Sequence, residues 1–333
     1  MLTIETLDAH TAGEPLRLIM SGFPEPVGST MLERREWLRE HHDHLRTAIM
    51  LEPRGHADMY GALLTRPERP ESDAGVLFMH NEGYSTMCGH GVIAVATLVF
   101  ERGLLTTRTP ETLVLDTPAG PVRAHAEVER AGRNVRVRSV SFRNVPSFVL
   151  HAGVPVRVNG RDLRADVAFG GAFYAIVDAE AAGIPVMGSR LHDLRRTGIA
   201  IKEAVEAVVR VAHPLEPALE GIYGTIFTAP PSDDRSDLRN VTIFADAAVD
   251  RSPCGTGTCA VMAVLAAMGL LPPEQTFTHE SIIGSRFTGR IVGETEVAEL
   301  AAIVPEIRGD AHITGQHTFY IDPHDPFGAG FSL

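Results

Sequence analysis

Lysine is almost absent from this sequence: of the 30 lysines and arginines in 333 residues, only Lys202 is a lysine. Enzymes that use pyridoxal phosphate need a lysine for the Schiff base and a phosphate-binding site beside it. Lys202 instead lies within residues 198–209, whose apolar spacing is that of an ordinary amphipathic helix. The sequence therefore predicts chemistry that uses no cofactor.

Cysteine is also scarce. The chain has three cysteines, and an odd, small number argues against a disulfide framework. Cys259 follows Cys254 by five residues inside a predicted helix, and no neighbouring histidines complete a zinc pattern. We expect Cys259 to lie in the core. No metal site is expected.

Long apolar runs and excess positive charge are both missing. No apolar run approaches the roughly 18 residues of a membrane span. The pattern of Met1–Asp8 predicts a strand rather than a signal peptide. The formal net charge of −12 argues against nucleic acid or an anionic membrane as a partner. We expect a soluble, cytoplasmic protein of two domains that binds a small molecule.

The sequence contains an internal repeat. Cys88-Gly-His-Gly-Val-Ile-Ala-Val and Cys254-Gly-Thr-Gly-Thr-Cys-Ala-Val open two stretches that share eight identities over 18 ungapped positions, 166 residues apart. Each stretch passes from a thiol through a glycine-rich turn into about four turns of apolar helix and a Gly-Leu-Leu stop. The repeat predicts a duplicated fold with a cysteine at the N-terminus of each of two buried helices.

The position of these cysteines suggests a chemistry. A helix N-terminus has unsatisfied N–H groups and the positive end of the helix dipole, so it binds a carboxylate and stabilises a thiolate. Two such termini would hold one small acid with a base on one face of its α-carbon and an acid on the other, as inversion at that carbon requires. The alternative is that both cysteines are ordinary buried apolar residues.

Hydrophobic periodicity predicts further elements around the two helices. Residues 32–51 have the pattern of one charged amphipathic helix, on which the adjacent His41, His42 and His44 form a solvated face. Strands are predicted at residues 58–64, 74–80, 112–117, 121–128 and 135–142 in the first half, at 173–177, 222–228, 241–244, 286–292 and 296–303 in the second, and finally at 311–321.

The two cysteine motifs resemble a known family. Met87-Cys-Gly-His-Gly and Asp250-Arg-Ser-Pro-Cys-Gly-Thr-Gly-Thr are similar to the signatures of the proline racemase superfamily, which includes proline racemases, 4-hydroxyproline 2-epimerases and trans-3-hydroxyproline dehydratases. The resemblance extends from Asp8-Ala-His-Thr-Ala-Gly-Glu-Pro to Gly309–Phe331.

The resemblance implies an α/β (α+β) fold like that of diaminopimelate epimerase: two pseudo-symmetric halves, each a curled, mostly antiparallel sheet around a central helix. The first half would be residues 1–145 plus 311–333 and the second 146–310, with the active site between them. The matching residues are Cys88 and Cys254 as acid/base thiols, Gly89, His90, Gly255 and Thr256 at the substrate carboxylate, Asp250 at the ring nitrogen, and Tyr60 and Phe244 as aromatic walls.

The sequence around Cys88 departs from the epimerase pattern. Residues 52–62 and 80–87, and Tyr223-Gly-Thr-Ile, are closer to the dehydratase branch. Typical dehydratases, however, have Thr or Ser at the Cys254 position, or Ser at the Cys88 position. Two thiols therefore favour a racemase or epimerase acting at Cα of proline or a hydroxyproline.

Two other functions remain as alternatives. One is dehydration of trans-3-hydroxy-L-proline; the other is a non-catalytic protein that binds an imino acid. The expected partner in every case is a small imino acid, and a homodimer is one of the assemblies left open.

Overall fold

The computed structural model describes residues 1–132 and 134–332. The chain forms two compact units, Met1–Phe142 with Asp310–Leu333, and Arg143–Gly309. Arg133 and Leu333, which fall within the first predicted half, lie outside the described residues.

Strands dominate the element order. The chain begins with β1 (Leu2–Thr11), β2 (Glu14–Ser21), α1 (Met31–His41), α2 (Asp43–Met50), β3 (Tyr60–Thr65), β4 (Ala74–His80), β5 (Tyr84–Ser85), α3 (Gly89–Arg102), β6 (Thr112–Thr117), β7 (Gly120–Ala131) and β8 (Asn134–Arg143). It continues through β9 (Ser147–Val158), β10 (Arg161–Phe169), β11 (Phe173–Asp178), α4 (Ala179–Ala182), α5 (Leu191–Glu206), β12 (Ile222–Ala229), β13 (Leu238–Phe244), β14 (Ala248–Asp250), α6 (Gly255–Ala267), β15 (Phe277–Glu280), β16 (Arg286–Val297) and β17 (Leu300–Gly309). The last strand, β18 (Ala311–Ile321), belongs to the first unit.

The second unit is a closed barrel of eight strands. β9, β10 and β11 pair antiparallel, β11 pairs parallel with β12, and β12 pairs antiparallel with β13. β13 then pairs parallel with β15, β15, β16 and β17 pair antiparallel, and β17 returns antiparallel to β9. Each parallel step is bridged by helices, α4 and α5 in one case and α6 in the other.

The first unit repeats this pairing pattern. β18, β1 and β2 pair antiparallel, β2 pairs parallel with β3, β3 antiparallel with β4, β4 parallel with β6, and β6 antiparallel with β7. Here α1 and α2 bridge one parallel step and α3 the other. The predicted fold class, two halves each with a mostly antiparallel sheet around a central helix, is confirmed.

The two repeat helices, α3 and α6, are the central elements of their units. Every residue from Gly89 to Val99 in α3 and from Gly255 to Val264 in α6 is buried. A helix that is apolar on all sides is stable only when protein surrounds it. Both helices end where the sequence predicts, since Gly103 and Gly269 follow them with φ of 62° and 70°, a conformation that favours glycine.

Some predicted boundaries were wrong. The single helix over residues 32–51 is two helices, because His42 leaves the helical conformation at φ −136°. The predicted strand 296–303 contains the turn between β16 and β17. Strands β9 and β10 were not predicted. Among the described residues, no helix is long and apolar enough to cross a membrane.

Candidate active site

Cys88 is the N-cap residue of α3. Its backbone is extended, with φ −145°, and its sulfur accepts a hydrogen bond from the N–H of Gly91 at 3.2 Å. Serine, threonine or aspartate usually satisfies this first-turn donor, so the sulfur occupies a position where negative charge is stabilised. The side chain is buried, with 4% of the residue exposed.

The second glycine of each Cys-Gly-x-Gly motif is required by close packing. A Cβ on Gly91 would lie 2.4 Å from the ring of Phe78 and 3.0 Å from the sulfur of Cys88. A Cβ on Gly257 would lie 2.8 Å from the sulfur of Cys254. The motif spacing therefore lets each sulfur reach a backbone N–H of its own helix.

His90 lies directly against the sulfur of Cys88. Its Nδ1 is 3.2 Å and its Nε2 3.7 Å from that sulfur, and Thr11 Oγ1 donates to its carbonyl at 2.9 Å. Tyr60 packs its ring edge-on to the imidazole, with centroids 4.7 Å apart, and its hydroxyl contacts Ser85. A neighbouring imidazole is a proton acceptor for a thiol.

Cys254 is the N-cap residue of α6, but its backbone differs from that of Cys88. Its φ is +64°, a left-handed conformation that is unfavourable for a residue with a Cβ. Its sulfur nevertheless accepts from the N–H of Gly257 at 3.3 Å, as its counterpart does in α3. The two thiols thus have equivalent helix contacts and different backbone support.

Polar side chains hold the peptide group that joins Pro253 to Cys254. The carbonyl of Pro253 accepts from Asn240 Nδ2 and from Thr258 Oγ1, each at 3.1 Å. Thr258 Oγ1 also lies 2.8 Å from Nδ1 of the buried His279, and the N–H of Cys254 donates to Ser252 Oγ at 3.1 Å. These bonds over-determine the strained conformation of Cys254. We name Asn240, Thr258 and His279 the Pro253 cradle.

Asp250 lies at the end of β14, paired with Thr242 of β13. Its Oδ1 accepts from the N–H of Ser252 at 2.8 Å and from the Ser252 hydroxyl at 2.7 Å. Burial raises the pKa of Asp250 to about 6 despite these bonds. Burial, together with the charge of Asp250, raises the pKa of the Cys254 thiol to about 12. Cys254 is therefore a protonated thiol in the free protein at neutral pH.

Tyr174 was not predicted as a site residue. Its hydroxyl is 2.6 Å from Thr256 Oγ1 and 3.6 Å from the sulfur of Cys254. Its ring meets Tyr223 edge-on, and Tyr223 in turn stacks on Phe244 at 5.4 Å. The one available signal was the tyrosine within the predicted strand 173–177, because a buried tyrosine hydroxyl needs a hydrogen-bond partner.

The structure brings the predicted site residues together in two clusters. Tyr60, Cys88, Gly89 and His90 lie in the first unit, and Phe244, Asp250, Cys254, Gly255 and Thr256 lie in the second. Cys259 is fully buried, as predicted. Over residues 1–132 and 134–332, no group of three or more His, Cys, Asp or Glu side chains is placed to hold a metal ion.

Comparison with known proteins identifies the family. The family model described as proline racemase matches residues 6–332. A trans-3-hydroxy-L-proline dehydratase of Bacillus cereus is 48% identical over 329 residues, which cover 98% of this chain and 97% of that protein. A 3-hydroxyproline 2-epimerase of Burkholderia multivorans is 44% identical over 333 residues, covering 99% of this chain and 98% of that protein.

A solved structure agrees with these sequence matches. The crystal structure of a hydroxyproline epimerase from Agrobacterium vitis, with bound trans-4-OH-L-proline, superposes with a TM-score of 0.92 at 33% identity. The match covers 100% of this chain and 95% of that one. The chain is therefore an enzyme of the proline racemase family.

Proposed function

We propose that this enzyme inverts Cα of proline or a hydroxyproline without a cofactor, with Cys88 and Cys254 as the acid/base pair. The observation that carries the proposal is that each thiol caps a buried helix and accepts a hydrogen bond from its third residue, Gly91 or Gly257. Neither position holds the serine or threonine that is typical of dehydratases in this family.

The two thiols start the reaction in different protonation states. Cys254 is protonated because burial and Asp250 raise its pKa to about 12. Cys88, beside the His90 imidazole at 3.2 Å, is the thiol that gives up its proton to become the base. In one direction the Cα–H bond breaks as a proton passes to the Cys88 sulfur, and Cys254 delivers its proton to the opposite face of Cα. The other isomer reacts in the reverse sense.

The negative charge that develops at Cα needs stabilisation, since an amino-acid α-proton is very weakly acidic. Backbone N–H groups at Gly89-His90 and Gly255-Thr256 would receive the substrate carboxylate and stabilise the charge that spreads onto it. Asp250, as a carboxylate, would hold the ring nitrogen in its cationic form. Within each unit these groups are held by the hydrogen bonds of the fold, so neither cluster has to rearrange much on its own.

Dehydration of trans-3-hydroxy-L-proline is the second candidate. It is favoured by the 48% identity to a protein named for that reaction. In that reaction one thiolate takes the α-proton, the C3–O bond breaks, and the departing hydroxide is protonated to water by the thiol just formed or by solvent. A second thiol is therefore not needed to protonate Cα.

One experiment separates the two candidates. Purified enzyme is incubated with each isomer of proline, 3-hydroxyproline and 4-hydroxyproline, and optical rotation and pyrroline formation are followed in parallel. We expect a change in optical rotation without pyrroline for at least one isomer. If pyrroline forms from trans-3-hydroxy-L-proline faster than any isomer is inverted, the enzyme is a dehydratase instead.

A further inference from the structure

Tyr174 is a buried tyrosine beside Cys254, and it bears on how the Cys254 thiol can lose its proton. For inversion to run in both directions, Cys254 must act as a base in one of them, so it must become a thiolate. Burial and the nearby charge of Asp250 both oppose that ionisation. In the first unit His90 stands beside the thiol, whereas the matching position in the second holds Thr256, which has no basic nitrogen.

The geometry around Tyr174 supplies a donor. Its hydroxyl reaches the sulfur of Cys254 at 3.6 Å, within hydrogen-bond distance for sulfur, and Thr256 Oγ1 at 2.6 Å. Thr256 Oγ1 is itself 3.9 Å from the sulfur. The three groups therefore form a triangle in which each hydroxyl can either donate or accept.

This triangle can reverse its hydrogen bonds. When Cys254 is a thiol, its S–H can point to the Tyr174 oxygen while Tyr174 donates to Thr256. When Cys254 is a thiolate, Thr256 can donate to Tyr174 while Tyr174 donates to the sulfur. Only hydrogens rotate, so both protonation states of Cys254 keep a satisfied partner without moving heavy atoms.

We propose that the Tyr174 hydroxyl, supported by Thr256, is the hydrogen-bond donor that allows Cys254 to act as a base. The proposal rests on the proposed function, in which Cys254 both gives and takes the α-proton. It assigns Tyr174 a role at the reacting sulfur, and it explains how a thiol without a neighbouring imidazole matches one that has His90 beside it.

Other titratable groups surround the same sulfur. Asp250 of β14 disfavours the thiolate, Cys259 lies one turn along α6, and Tyr223 of β12 packs edge-on to Tyr174 at 6.0 Å. The N–H of Gly257, which donates to the sulfur at 3.3 Å, acts in the same direction as Tyr174. Removing the Tyr174 hydroxyl should therefore weaken the thiolate rather than abolish it.

The test measures the thiol directly and uses no substrate. In a full-length Cys88→Ser, Cys259→Ala background, Cys254 is the only thiol, and its alkylation by iodoacetamide is followed from pH 7 to 10. We expect Tyr174→Phe to slow alkylation about three-fold at each pH. A pKa increase of one unit lowers the thiolate fraction about ten-fold, while the more basic thiolate is about three-fold more nucleophilic.

Two further variants serve as a control and as a change expected to speed alkylation of Cys254. Tyr320→Phe, the same change at an exposed tyrosine of β18, should leave alkylation unchanged. Asp250→Asn removes the opposing charge and should speed alkylation. Circular dichroism and thermal unfolding verify that each variant is folded.

The outcomes separate this inference from the proposed function. Alkylation that is unchanged or faster in Tyr174→Phe overturns the inference, even if turnover falls, because the loss would then be structural. A wild-type enzyme that inverts no proline isomer refutes the proposed function, while the alkylation rates still decide whether Tyr174 stabilises the Cys254 thiolate.

Discussion

Cys88 and Cys254 occupy the same place in a repeated motif and accept the same backbone hydrogen bond, yet their side-chain neighbours differ. Cys88 has an extended backbone and an imidazole at 3.2 Å. Cys254 has a left-handed backbone, two hydroxyls within 4 Å and a buried carboxylate that raises its pKa. The duplicated motif thus places its two thiols in different electrostatic environments, and the proposed function assigns one the role of acid and the other that of base in each direction.

Replacing either thiol should stop inversion. We expect Cys88→Ser and Cys254→Ser each to lower kcat/KM by about 10³-fold or more, because a serine hydroxyl is a far poorer base near neutral pH than a thiol. Polarimetry with the best isomer of the substrate panel measures the loss. Cys259→Ala, which removes a thiol from α6, the helix that Cys254 caps, should retain inversion. Wild-type inversion by either serine variant would remove that thiol from the mechanism.

Asp250 should impose an acidic limb on the pH profile. In the proposed mechanism its carboxylate holds the ring nitrogen, and its pKa is raised to about 6, so kcat/KM should rise as the pH increases through about 6. Asp250→Asn should lower kcat/KM and remove this limb. A limb that persists near pH 6 in the variant would assign it to another group.

The raised pKa of Asp250 also predicts that the free energy of unfolding falls as the pH rises, opposite to the change expected for kcat/KM. Because the pKa is raised in the folded state, the protonated carboxyl favours folding below the unfolded pKa, and this advantage is lost as the pH rises through about 6. A shift of about two units corresponds to about 2–3 kcal/mol. Asp250→Asn should therefore match the wild type in urea unfolding near pH 4 and exceed it by about that amount at pH 8.

At the scale of elements, the start of α6 depends on the Pro253 cradle. Thr258 corresponds to Val92 in the other copy of the repeat, so valine is a matched replacement. Thr258→Val removes a donor to the Pro253 carbonyl and a partner of His279. We expect a loss of about 1–2 kcal/mol in the free energy of unfolding and a lower kcat/KM, since the conformation of Cys254 loses support.

The same substitution in α3 is the control. Thr97 is equally buried, but its hydroxyl donates only along its own helix, to the Ile93 carbonyl at 2.9 Å. Thr97→Val should change stability without lowering kcat/KM. If both variants lose activity in parallel with stability, the cradle has no special role at Cys254.

The elements that sequence predicted well are those with a strong local signal. The two repeat helices have continuous apolar sequence and a glycine at the end, which fixed both boundaries. The break at His42 has no such signal, because the apolar spacing continues across it. In the folded chain Trp37 stacks on the ring of His41 and packs at a tilt against that of His42. Strand β9 was missed because Gly153 and Pro155, which usually mark turns, lie within it. Gly153 is at a register shift against β10, whereas Pro155 pairs regularly with Arg164.

Site prediction had the same limit. Motif and resemblance predicted the two thiols and residues close to each in the chain, and the resemblance alone added Tyr60 and Phe244. Tyr174 is 80 residues from Cys254, and the Pro253 cradle combines β13, α6 and β15. Strand pairing brings these side chains to the sulfur, and no spacing in the sequence records it.

On the scale of the whole molecule, the duplication gives each unit the same parts. Both units repeat the same order of antiparallel and parallel pairings, and both place their central helix as the crossover of a parallel step. Each crossover begins at a thiol. The chemistry that we propose divides in the same way, with one acid/base group contributed by each half of the chain.

This division predicts where isotope appears when the enzyme works in D₂O. If one thiol removes the α-proton and the other delivers a different one, product formed in a single turnover should carry deuterium at Cα, while recovered substrate should carry little. Mass spectrometry after chiral separation measures both pools. A single base that moved between the two faces of Cα would instead return the original proton, so product would be substantially unlabelled. That result would show that one unit alone supplies the acid/base chemistry, and the second thiol would need another explanation.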